Sequence, residues 1–120
     1  EDVGVPRSKL PDMFGRLDQI AADHQVRVLT VAHAGDGNLH PICVFDPTSD
    51  GSVPDNIWAA ADAVFRAALD LGGTLTGEHG VGVLKRRWLE LELGTDVMDV
   101  HRSIKNALDP AGILNPGKGF

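Results

Sequence analysis

Residues 26–45 read VRVLTVAHAGDGNLHPICVF, and the pairing of their two halves decides the fold. Val26–Val31 is β-branched and apolar, and Leu39–Phe45 is its match in composition. Between them, Gly35-Asp36-Gly37-Asn38 supplies turn-forming residues, so the stretch reads as a β-hairpin. Gly35 and Gly37 permit a positive φ, while Asp36 and Asn38 are able to bond their own backbone. A symmetric loop would pair His33 with His40, Val31 with Ile42 and Leu29 with Val44. Directly opposed residues share a face with Cβ atoms about 4.5–5.5 Å apart, close enough for two imidazoles to reach one ion. Apolar residues continue that face, giving the two rings an apolar floor. A one-residue slip would send the rings to opposite faces. Two ligands do not complete a metal site, and a packed pair of rings at the hairpin mouth accounts for them equally.

Outward from the hairpin the periodicity changes. Val3-Gly4-Val5, ended by Pro6, reads as an edge strand. Leu10, Met13, Phe14, Leu17, Ile20 and Ala21 recur at helical spacing, with Ser8 as a cap and Pro11 in the first turn. After the loop of residues 46–51, Ile57, Ala61, Val64, Ala68 and Leu71 mark a second helix, entered near Pro54-Asp55 and stopped by Gly72-Gly73. Thr74-Leu75-Thr76 completes the order β-α-β-β-α-β, that of a ferredoxin-like unit. Two more helical stretches, 84–93 and 95–108, flank Gly94, and a turn-rich tail follows. The fold expected is α+β: a ferredoxin-like βαββαβ unit with additional C-terminal helices.

With 120 residues, the chain suits a single domain with a modest core. A net charge of −6 and 5% aromatic residues argue against nucleic acid as a partner. The short basic run Lys85-Arg86-Arg87 reads as a solvated helix face. A single cysteine, Cys43, precludes a disulfide framework and reads as a structural thiol; a cytoplasmic location is the default. His24 and His101, on helices among polar residues, read as surface groups. The chain opens on Glu1 without an initiator Met and is expected to be part of a longer polypeptide.

A second chemistry-bearing stretch is Gly77-Glu78-His79-Gly80-Val81-Gly82. Glycines around an acid–imidazole pair let the backbone approach a ligand. Neighbouring side chains of an extended segment point opposite ways, so one of Glu78 and His79 would face a metal and the other a separate pocket. A carboxylate added to two histidines gives three protein ligands and an open position, the form of a catalytic zinc site. A Gly-rich turn with a solvated glutamate and a capping histidine is the plainer alternative. Zincin, dinucleotide and P-loop signatures are absent.

His33 through His40, Gly77 through Gly82, and Asp109-Pro110 through Asn115-Pro116-Gly117-Lys118 together resemble the C-terminal domain of FAD-linked oxidases. These are flavoenzymes of the vanillyl-alcohol-oxidase type, including glycolate oxidase, D-lactate dehydrogenase and D-2-hydroxyglutarate dehydrogenase. The resemblance covers essentially the whole chain, and Val5–Pro11 with His40-Pro41 is most like the glycolate oxidase and D-lactate dehydrogenase members. It implies that residues 1–120 form a substrate-side domain, with the FAD-binding domain elsewhere. It implies a divalent metal, zinc by donor type, held by His33, His40 and Glu78, with His79 as the base. It also implies that Asn115 and Lys118 approach the flavin, and that a 2-hydroxy acid such as glycolate or D-lactate is oxidised to the 2-oxo acid by hydride transfer to FAD. Ile42 stands where the hydroxyglutarate enzyme has a polar substrate contact, which disfavours a dicarboxylate; Arg7 and Lys85 are the cations left to grip a substrate carboxylate. Implied partners are the FAD-binding domain and iron–sulfur or other oxidase subunits, with the protein cytoplasmic or peripheral at the inner membrane surface. The isolated chain is then expected to be inactive. The competing readings are a stand-alone metal- or ligand-binding ferredoxin-like module without redox chemistry, and a metal-dependent hydrolase.

Overall fold

A computed structural model describes residues 1–119 and divides into two compact units, one spanning Glu1–His79 and the other beginning at Gly80. The fold is α+β. In the first unit β1 (Val3–Gly4) leads through a short 3-10 turn (Arg7–Lys9) into α1 (Leu10–Asp23). Then follow β2 (Arg27–His33), β3 (Asn38–Val44) and α2 (Asp55–Asp70). The sheet is antiparallel, in the order β1-β3-β2. Ser8 lies within the 3-10 turn and does not cap α1; Lys9 takes the N-cap position, with Pro11 in the first turn as expected.

β2 shows why one face of the sheet is closed. Its residues alternate between exposed and partly buried along the whole strand, as a pleat with helices on one side requires. α1 turns Met13, Leu17 and Ile20 inward at i, i+4 and i+7, and packs on α2 and β2. α2 contributes Ile57, Ala60, Val64, Phe65 and Ala68. Val3 and Leu39, opposed across β1 and β3, are fully buried.

The expected fourth strand is not formed as a strand. Thr74 meets Gly4 through one antiparallel bridge, exchanging hydrogen bonds of 2.8 and 3.1 Å, and pairing goes no further. A ferredoxin-like unit has four strands, and this sheet has three among the described residues. The reason is local. Gly72 (φ 75°) closes α2, and Gly73 passes so near β1 that a Cβ there would stand 2.1 Å from the Gly4 carbonyl oxygen. Gly77 interrupts the run on the other side, leaving three residues to pair.

The second unit is built on α3 (Arg86–Leu108), which breaks at Gly94 (φ 72°, ψ 165°) where the sequence predicts a boundary. The basic run is solvated only in part: Lys85 is fully buried, while Arg86 and Arg87 are exposed, Arg86 donating to the Gly117 carbonyl and the Arg87 guanidinium lying 3.9 Å from the Trp88 ring centre. His24 and His101 are partly buried. No helix among the described residues is long and apolar enough to cross a membrane.

Asp109 ends α3 and organises the tail. Its carboxylate accepts the Ile113 and Leu114 amides, at 2.9 and 3.0 Å, and pairs with Lys105. The Lys105 ammonium, helped by those amides, holds the Asp109 carboxyl below the usual carboxylate range. A depressed folded value means that the contribution is fully present above the ordinary carboxylate pKa, about 4, and is lost as the pH falls through the lower folded value. Amide exchange at Ile113 and Leu114 is therefore expected to stay protected at pH 5 and to accelerate, beyond its intrinsic pH trend, only below about pH 4.

Candidate metal centre

The hairpin register differs from the symmetric one. His33 lies opposite Asn38, Val31 opposite His40 and Leu29 opposite Ile42. The loop is Ala34–Gly37, closed by the Asp36 and Gly37 amides donating to the His33 carbonyl, both at 3.1 Å. The shift is two residues, and because the side-chain period is also two, the histidines keep a common face. They meet on a diagonal, with ring centroids 5.1 Å apart and planes at 88°.

Asp36 accepts the Asn38 amide at 3.0 Å, the local turn expected of it. Asn38 does not make a second such turn: its side chain is buried under the Gly77 backbone, where a Cβ on Gly77 would stand 2.2 Å from Asn38 Oδ1. Only Gly37 of the two loop glycines has a positive φ, 86°.

Glu78 comes to both histidines. Its Oε1 lies 3.3 Å from His33 Nε2 and 3.2 Å from His40 Nε2. Two donors about 2.05 Å from a tetrahedral ion stand about 3.3 Å apart, so these separations fit a shared zinc-sized cation. His33, His40 and Glu78 are also mutually within 4.8 Å through their ligand atoms. The His40 side chain is sheltered at 15% exposure, while His33 and Glu78 are more than half exposed, leaving the open side of the donor set toward solvent.

Glu78 and His79 differ as donors: Glu78 joins His33 and His40, while the ligand atoms of His79 group with those of Glu1 and Asp2, its ring lying 4.9 Å from that of His40 and tilted by 35°. Residues 77–79 bend and do not form a strand. Asp2, which the sequence reading passed over, is fully buried and accepts the His79 amide at 2.8 Å.

The expected apolar floor is present as a face. Leu29, Val31, Ile42 and Val44 lie on the same side as the histidines and are 44–59% exposed. Within this unit they do not enclose the centre. Cys43, on the opposite face, is partly buried, and burial pushes its thiol pKa up, in keeping with a structural role. Arg7 is exposed in the 3-10 turn. Asn115 and Lys118 belong to the second unit, in a turn closed by the Lys118 amide donating to the Asn115 carbonyl at 3.1 Å.

Two histidines and a glutamate thus stand together on the open face of a hairpin in an α+β domain. Residues 1–119 match the family described as FAD linked oxidases, C-terminal domain, and the chain belongs to that family. It is 43% identical over its whole length to the glycolate oxidase subunit GlcD of Bacillus subtilis, covering 25% of that protein. It is 39% identical over 98% of its length to the mitochondrial D-lactate dehydrogenase [cytochrome] of Arabidopsis thaliana, covering 20% of it. For GlcD of Escherichia coli K12 the figures are 33%, 99% and 24%. The chain thus spans a quarter or less of the length of these relatives. The family is one of FAD-linked oxidoreductases.

Proposed function

We propose that this chain is the substrate-side domain of an FAD-dependent dehydrogenase that oxidises a small 2-hydroxy acid, glycolate or D-lactate, to the 2-oxo acid. The observation that carries the reading is the convergence of His33, His40 and Glu78, with His79 against His40. His33 and His40 through Nε2, with the Glu78 carboxylate, would hold a divalent cation, and their nitrogen and oxygen donors suit zinc. Such an ion supplies Lewis-acid polarisation of the substrate hydroxyl and carboxylate. FAD, bound mainly by a domain outside these residues, supplies the acceptor for the hydride leaving Cα.

His79 takes the hydroxyl proton as the Cα hydride departs, so the substrate loses one proton and one hydride and becomes the 2-oxo acid. An imidazole suits that task near neutral pH. Ile42, two residues beyond His40 on the same open face, offers no partner to a second carboxylate, which favours a short monocarboxylate. Asn115 and Lys118 are proposed to approach the flavin, and the 2-hydroxy acid, the FAD-binding domain and further oxidase subunits to be the partners.

Elemental analysis of the intact polypeptide, combined with anaerobic substrate titration, tests this. About one divalent metal per chain is expected, with flavin bleaching by glycolate or D-lactate that is lost on chelation and restored by zinc. Flavin that stays oxidised with every small 2-hydroxy acid would refute the reading.

A further inference from the structure

Among the described residues of the first unit, Asp2 is the one charged residue with no exposed surface. A buried carboxylate is costly unless its oxygens are engaged, so the groups it engages indicate what it is there for. Asp2 immediately precedes β1, which is held by β3 on one side and the Thr74 bridge on the other, so its backbone is fixed. Its Oδ2 accepts the His79 amide at 2.8 Å, and its Oδ1 accepts the Thr76 hydroxyl at 3.4 Å. Thr76 and His79 bracket Gly77-Glu78, so one buried carboxylate ties down both ends of the segment that carries the acid and the imidazole. The same Oδ1 lies 3.9 Å from His79 Nδ1, too long for a hydrogen bond but within reach of its charge. The His40 ring, 4.9 Å away, limits the imidazole from another side.

We propose that Asp2 is a positioning residue for His79. It anchors the main chain of His79 and keeps ring Nδ1 toward its own carboxylate, which favours the tautomer with the proton on Nδ1. Nε2 is then the nitrogen left with a lone pair for the substrate hydroxyl. The inference rests on His79 acting as the base, and its test separates the two claims.

In the intact flavoprotein, Asp2→Asn keeps the shape and one acceptor oxygen for the His79 amide. It replaces the other oxygen with an NH₂ that would donate to Nδ1 and put the ring proton on Nε2. Asp2→Asn is expected to lower kcat by about 10–100-fold, with KM and metal content little changed; the larger loss known for a triad aspartate marks the upper end for such a tautomer fault. In a His79→Ala background the same change is expected to cost less than about 3-fold, because a positioning residue has nothing left to position. Equal losses in both backgrounds, or no loss in the first, would overturn the proposal. If His79→Ala itself retained kcat, the base assignment would fail instead, and this inference with it. Glu1, Asp2 and His79 also lie within 4.8 Å of one another, so a second metal equivalent that disappears in Asp2→Asn would overturn the proposal in favour of direct ligation. Nitrogen shifts of ¹⁵N-histidine in the unsubstituted protein provide a check that needs no variant: a proton on His79 Nδ1 supports the proposal, and one on Nε2 refutes it.

Discussion

Glutamine in place of Glu78 is expected to strip the cation from the centre while leaving the fold intact. Glu78 Oε1 stands 3.3 and 3.2 Å from the two Nε2 atoms, so in the proposed centre it would complete the donor set. Glutamine keeps the shape but removes the negative charge and presents a weaker oxygen donor. Loss of a supporting outer-shell group typically weakens metal binding 10–100-fold, so loss of a ligand is expected to weaken it by about 100-fold or more. Lewis-acid polarisation is worth several kcal/mol in a transition state. At about 1.4 kcal/mol per tenfold, the turnover loss is on the order of 10²–10³.

The packed-hairpin account makes a different prediction from the same substitution. Glu78 and His33 are more than half exposed, and an exposed ion pair contributes about 0–1 kcal/mol. If the carboxylate did no more than sit between two rings, Glu78→Gln would shift the melting temperature slightly and nothing else. Metal content per chain by elemental analysis, beside a thermal melt, separates the two. Unchanged metal content in Glu78→Gln would remove the carboxylate from the centre.

How far the centre was legible follows from what kind of constraint each residue obeys. His33 and His40 were recognisable because strand alternation is local, and a register error of two residues leaves alternation untouched. Glu78 and His79 stood out through the glycines around them and the family resemblance. Their convergence on His40 depends on a bend at 77–79 that no periodicity announces. Asp2 and Asn38 were missed for the same reason. Asp2 reaches His79 across 77 residues of chain, and Asn38 is buried by Gly77, far along the sequence. Helix boundaries at Gly72 and Gly94 were legible because a positive φ in glycine is a local property. The reduced fourth strand was not, because Thr74-Leu75-Thr76 has strand composition and lacks only the length to pair.

The two glycines of the hairpin loop look alike in sequence and are expected to behave oppositely. At Gly37 a Cβ would stand 2.0 Å from the Val5 carbonyl oxygen, an overlap with backbone that no rotamer change relieves. Its φ of 86° adds strain for any L-residue, about 1–2 kcal/mol. The loop would have to lift from Val5, losing the 3.0 Å bond from the Val5 amide to the Gly37 carbonyl, worth about 0.5–1.5 kcal/mol. Gly37→Ala is therefore expected to destabilise by about 1.5–3.5 kcal/mol. At Gly35 an added methyl would meet no atom within 4 Å, and the φ is not positive, so Gly35→Ala is expected to be neutral or to stabilise by up to about 1 kcal/mol. Denaturant midpoints of the two variants test this, and equal effects would refute it. Metal affinity is expected to follow the same split. Gly37 precedes Asn38, the residue opposite His33, so lifting the loop alters the register on which the two rings meet. Gly35 sits at the open tip and leaves that register alone.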